Sequence, residues 1–213
     1  MKIDIDLPEI IRSRNGYKKK YDLAEMYMAF VFVPAAMIIL MRNNKRKTLD
    51  PKFLERIQLA VTEVNGCAIC SYAHTYLALK QGISKEEIDS FLLGNDQFVQ
   101  HEEAKALLFA QHFADTGGFP KKDAFDILVG EYGEEKAGII FSAAQVMMAA
   151  NIYGIPYSAL QSRFKGKPYT NSTLFYELGM EIAGLICIPI ALVHGLLNRL
   201  FGASTLKLDT SAD

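Results

Sequence analysis

The sequence predicts an all-α protein, on three observations. Apolar residues recur at helical spacing along most of the 213-residue chain. The breaks between those segments are helix start and stop signals: Asp50-Pro51, Asn65-Gly66, Ser84 ahead of Glu86-Glu87, and Gly117-Gly118. No stretch alternates apolar and polar residues as a half-buried strand does, and no low-complexity tract or tight repeat appears.

Residues 1–20 are polar and read as an N-terminal arm. A helical pattern begins near Asp22 and runs into the uncharged stretch Met26–Met41. Pro34 lies inside it, so one helix is expected to end near Val33 and another to start at Pro34. Asn43–Thr48 reads as a basic loop. Asp50 as N-cap with Pro51 at the first helical position opens a helix to about Val64. After Asn65-Gly66, Cys67 opens the next helix, which closes at Gly82. Ser84-Lys85-Glu86-Glu87 is a capping box and begins a short helix ending at Gly94. Residues 100–115 form an amphipathic helix that stops at Gly117-Gly118, and another runs from Pro120 to Gly133. Glu134–Tyr153 is a long apolar helix, expected to end at Gly154-Ile155-Pro156, with a short helix from Tyr157 to Phe164. A linker at Lys165–Pro168 precedes a very apolar helix from about Asn171 to Phe201.

Composition narrows the function classes. The formal net charge is −1, and Lys and Arg are spread along the chain, so the basic stripe of a nucleic-acid binder is missing. Three cysteines are too few for a secreted disulfide scaffold of this length. The first twenty residues lack an apolar segment behind a basic start, so no secretion signal is read there, and a cytoplasmic location is expected. With half its residues hydrophobic, the chain can bury a substantial core. Its organisation reads as the arm 1–20, a helical domain 21–165 and an apolar helical extension 166–213.

The chemistry concentrates in Glu55–Gly82. Cys67 and Cys70 are three apart, and His74 follows four residues later, one turn away on the face of Cys70. Thiolate is the reactive form of cysteine, and an ordinary thiol near pKa ~8.5 is only slightly ionised at neutral pH. A helix N-terminus and a neighbouring imidazole both favour the thiolate. An acidic residue on the preceding helix can orient that imidazole, and Glu55 and Glu63 are both candidates. Two inert core cysteines are the plain alternative. Zinc would call for a second ligand pair, whereas only His74 is near and Cys187 is remote. Haem attachment requires His directly after the second cysteine, where Ser71 stands. A thioredoxin-like reading lacks its strand. No cofactor and no metal are therefore expected.

Glu55, then eleven residues, then Cys67-Ala68-Ile69-Cys70 and His74, with Asn65-Gly66 ahead, resembles the AhpD-like (alkylhydroperoxidase D-like) branch of the carboxymuconolactone decarboxylase superfamily. Its pattern is Glu-x11-Cys-x2-Cys-x3-His. Lys80-Gln81-Gly82 ahead of the next capping box, Ala104–Phe113 and Ala149-Ala150-Asn151 are similar too, and the likeness covers roughly residues 30–160. It implies an all-helical fold for 21–165 and a thiol peroxidase or disulfide oxidoreductase. By that likeness Cys70 is the peroxidatic thiol, paired with His74 and Glu55, and Cys67 resolves it. Glu55 is thereby preferred over Glu63. Ile69 stands where some members carry a further histidine, and the segment beyond about 165 has no counterpart.

The expected partners are a hydroperoxide substrate and a thiol or dithiol reductant, with no nucleic acid. Two other functions stay open on the same fold: a non-enzymatic redox sensor or binding protein, and a decarboxylase-like enzyme for a small organic acid, although true decarboxylases of the superfamily lack the cysteine pair. His101 and His112 read as surface or satisfied core residues, and Cys187 as a small core residue. The methionine-rich run Met26–Met41, with Met147 and Met148, is packing that could line an apolar pocket. Ile182–Leu197 carries no Asp, Glu, Lys or Arg, but as a helix it reaches only about 24 Å, short of a ~30 Å bilayer core. It is expected to pack against another subunit of a homo-oligomer rather than to anchor in a membrane.

Overall fold

The computed structural model describes residues 7–203 and 206–211, and among them the architecture is helical with no strand. The only extended pairing among these residues is an isolated bridge between Lys121 and Asp209. The short helix α1 (Glu9–Arg12) belongs to the expected arm, yet Leu7 and Ile11 around it are buried in the core. Residues 1–6 of that arm lie outside the described residues.

Local signals start and stop most helices. In α2 (Leu23–Arg46), the Asp22 side chain accepts from Glu25 N while Glu25 reaches back to Asp22 N, a complete capping box. Asp50 caps α3 (Pro51–Asn65), Pro51 takes the first helical position, and Gly66 at φ 75° ends it. The α4 helix (Ala68–Lys80) has Cys67 itself as N-cap, and Ser84 caps α5 (Lys85–Leu92) through Glu87 N. A 3-10 turn at His101–Glu103 leads into α6 (Ala104–Asp115). The long α7 (Lys122–Phe164) is broken only at Gly133, whose φ of 76° and ψ of 162° are non-helical, where a stop was expected. Thr173 caps α8 (Leu174–Leu200).

Three expected breaks are absent. α2 runs through Pro34, because packing on both sides holds the helix where the proline removes one hydrogen bond. The carbonyl of Val31, on the turn before Pro34, is met so closely by Gly195 of α8 that a Cβ there would lie 2.0 Å from its oxygen. α2 also extends to Arg46, over half of the expected basic loop, since buried Asn43 ties its end to both backbone groups of Leu49. Lastly, α7 passes straight through Gly154-Ile155-Pro156. All three residues are buried there, and Gly154 serves a packing need described below. Cys187 also departs from expectation, being half-buried rather than enclosed.

α7 is the central element and packs on α2, α3, α4, α6 and α8. Its Phe141 meets Phe113 and Phe125 edge-to-face at 5.2 and 5.4 Å, anchoring α6 to both halves of α7. Buried Arg56 on α3 pairs with Glu87 of α5 at 2.7 Å and with Glu103 at 3.1 Å. Arg163 at the end of α7 holds fully buried Glu177 of α8. By length and composition alone α2, α7 and α8 could each cross a membrane, so the full 27-residue α8 is longer than its uncharged stretch indicated.

Candidate active site

The turn between α3 and α4 fixes the first cysteine. Gly66 takes a left-handed conformation, and Arg14 Nη1 donates to its carbonyl at 2.6 Å. Tyr21 donates to buried Asn65 at 2.7 Å. The N-terminal segment thus clamps the turn that delivers Cys67. As N-cap, the Cys67 sulfur accepts from Cys70 N at 3.3 Å, which is where orphan amides and the helix dipole favour negative charge.

Cys67 and Cys70 are joined as a disulfide, with Cα atoms 5.3 Å apart. Cys67 is fully buried, while Cys70 keeps a little exposure. The Cys70 sulfur lies 3.8 Å from the Ala150 carbonyl oxygen. As a disulfide sulfur it has no proton to give; once reduced, its thiol can donate there.

The pair is backed by α7 at a position that only glycine fits. A Cβ on Gly154 would stand 2.7 Å from the Cys67 sulfur and 2.8 Å from that of Cys70. One turn on, the Ser158 hydroxyl donates to the Gly154 carbonyl at 2.7 Å and accepts from Ile69 N at 3.1 Å, locking the first turn of α4 onto α7. Neither residue was marked by sequence reasoning. The signal was present, but Gly154 next to Pro156 read as a helix stop.

The two candidate acids separate. Glu55 Oε1 accepts from His74 Nδ1 at 2.6 Å, and both side chains are largely buried. That bond leaves Nε2 as the basic nitrogen of the neutral imidazole. Glu63 instead pairs with Lys18 at the surface. His112 accepts from Lys121 N at 3.1 Å and is a structural residue of the α6–α7 turn.

Cys70 and His74 share the wall of one cavity, of about 460 Å³, lined otherwise by apolar groups including Phe30, Val33 and Met147. The Met26–Met41 run therefore does contribute to a pocket beside the dithiol. Tyr153 closes another side. Its ring lies against Gly184 of α8, where a Cβ would come within 2.6 Å, and the Glu181 carboxylate stands beside it. Burial, aided by that carboxylate, raises the Tyr153 pKa, and burial likewise raises that of Glu181. The C-terminal helix is thus part of the cavity's support. Among the described residues, no group of three His, Cys, Asp or Glu side chains is placed to hold a metal ion.

An all-α fold presenting a helix-capping Cys-x-x-Cys pair beside a His–Glu couple defines a dithiol protein. The carboxymuconolactone decarboxylase family model matches residues 33–112, a span that holds Glu55, Cys67, Cys70 and His74 and agrees with the resemblance carried by the motif. A helix-turn-helix, Psq domain model matches residues 146–171. Here residues 146–164 are one uninterrupted helix with Met147, Met148, Ile152 and Ile155 in the core, so no recognition helix is available. No curated protein and no solved structure matches the chain.

Proposed function

We propose that the protein is a dithiol peroxidase, reducing hydroperoxides through Cys70 and Cys67. The observation that carries the reading is the placement of Cys70 on an apolar cavity it shares with the Glu55-held His74. His74 takes the Cys70 proton. The thiolate attacks the terminal oxygen of the hydroperoxide and breaks the O–O bond. The departing alkoxide takes a proton from the imidazolium, leaving alcohol and a Cys70 sulfenic acid. Cys67 thiolate then attacks the Cys70 sulfur and expels hydroxide, which leaves as water, to form the disulfide. An external dithiol restores the pair by attacking the more accessible Cys70 sulfur. Cys67 departs as a thiolate stabilised by the Cys70 amide at the helix cap. The dithiol's second thiol then closes onto its first to form the reductant's disulfide and release Cys70 as thiolate. No cofactor enters the cycle.

The test is thiol counting on reduced protein before and after one equivalent of an organic hydroperoxide. Two of three thiols should disappear per chain, leaving Cys187 free. Loss of none, or stoichiometric zinc in the purified protein, contradicts the reading. A pair that closes without catalytic turnover points to a redox sensor. Activity on a small organic acid that survives removal of both cysteines points to decarboxylase-like chemistry.

A further inference from the structure

The outer face of α8 is apolar where a monomer's surface is usually polar. At 3.6 residues per turn, its exposed large side chains from Leu178 to Leu200 fall within an arc of roughly 140°. That arc contains no charged residue. Leu185, Ile186 and Leu200 are 71%, 62% and 79% exposed. The opposite side, with Gly184, Ala191 and Gly195, is the one buried. Small residues face inward and large apolar ones outward, the reverse of a solvated surface helix.

Spacing and area both indicate what covers this face. Ile182, Ile186, Ile190, Val193, Leu197 and Leu200 follow one another at intervals of four, four, three, four and three residues, the seam of two helices packed side by side. Nine exposed large apolar side chains from Leu178 to Leu200 can supply one side of a standard interface, roughly 800 Å² per partner. A lipid surface fits less well. The inner face of α8 is committed to α2 and α7, and Arg199 is its only cation beside Glu177 and Glu181, so no basic frame faces anionic headgroups. We propose that α8 is the contact between two copies of this chain, paired about a two-fold axis along the Ile186–Leu200 seam.

Sedimentation of the full-length protein at micromolar concentration, without detergent, tests this. A dimer, or a larger assembly built on it, is expected. Ile190→Lys should weaken association at least about tenfold, with helical circular dichroism and Cys67–Cys70 closure unchanged. Leu185→Lys, at the rim of the arc, serves if the first variant does not fold. A monomeric wild type overturns the proposal. So does an assembly indifferent to the folded variant, or flotation of the wild type with phosphatidylcholine–phosphatidylglycerol vesicles.

Discussion

Glu55 and His74 meet at 2.6 Å although nineteen residues separate them, and the turn that brings them together is the one that sets Cys67 at a helix cap. One chain reversal at Asn65-Gly66 therefore builds both the thiolate-favouring end of α4 and the couple that orients its imidazole. The α3–α4 hairpin carries Glu55, Cys67, Cys70 and His74 together, and α7 packs against it.

If that couple serves as the base, His74→Ala should slow peroxide consumption by about 10²–10⁴. Glu55→Gln should slow it as well, because the amide no longer holds Nδ1–H by charge. Glu63→Gln, removing only a surface pair with Lys18, should leave the rate near wild type. Rapid-mixing measurements of peroxide loss over a range of pH compare the three. Equal effects from the two glutamates would contradict the geometry.

Gly154→Ala places a methyl group 2.7–2.8 Å from both sulfurs. α4 must move off α7, at a cost of about 1–3 kcal/mol for overpacking. The expected outcome is a lower denaturation midpoint with slow or incomplete closure of the disulfide, read by thiol counting. Gly130→Ala is the control, since a Cβ there meets nothing within 4 Å. Normal closure in Gly154→Ala would show that α7 does not confine the pair.

Acid should loosen the join between α7 and α8. Burial acts to raise the Glu177 carboxyl, but hydrogen bonds from Arg163 and Ser172 outweigh it and hold its pKa below the ordinary value. The unfolded chain therefore binds this proton more readily. The pair's contribution to stability is complete above the ordinary glutamate value of about 4.3 and is lost as pH falls through the lowered folded value. Urea midpoints measured from pH 7 to pH 3 should decline. Arg163→Met should remove that part of the decline, and at neutral pH it should destabilise more than Arg46→Met, whose partner Glu135 is exposed.

Much of this was legible in the chain. The caps at Asp50, Ser84 and Asn65-Gly66 act within a few residues, so they announce helix ends wherever the helices later pack. The Glu55, Cys67, Cys70 and His74 set was legible because its spacing spans one hairpin, although choosing Glu55 over Glu63 took the family resemblance. The prolines misled, because the penalty of Pro34 and Pro156 inside a helix is local, whereas the packing that offsets it comes from distant segments. Gly154 was hidden for the same reason: its neighbours in space, Cys67 and Cys70, lie more than eighty residues away. The long-range role of α8 in holding Tyr153 has no local signature either.

The most direct test of the account is steady-state reduction of an organic hydroperoxide, driven by a small dithiol, with wild type, Cys70→Ser and Cys67→Ser side by side. The account predicts turnover by wild type and none by Cys70→Ser. Cys67→Ser should complete a first round and stall with Cys70 as a sulfenic acid, trapped by a dimedone-type reagent. Undiminished turnover in Cys70→Ser, or a sulfenic acid trapped on Cys67 instead, would contradict it.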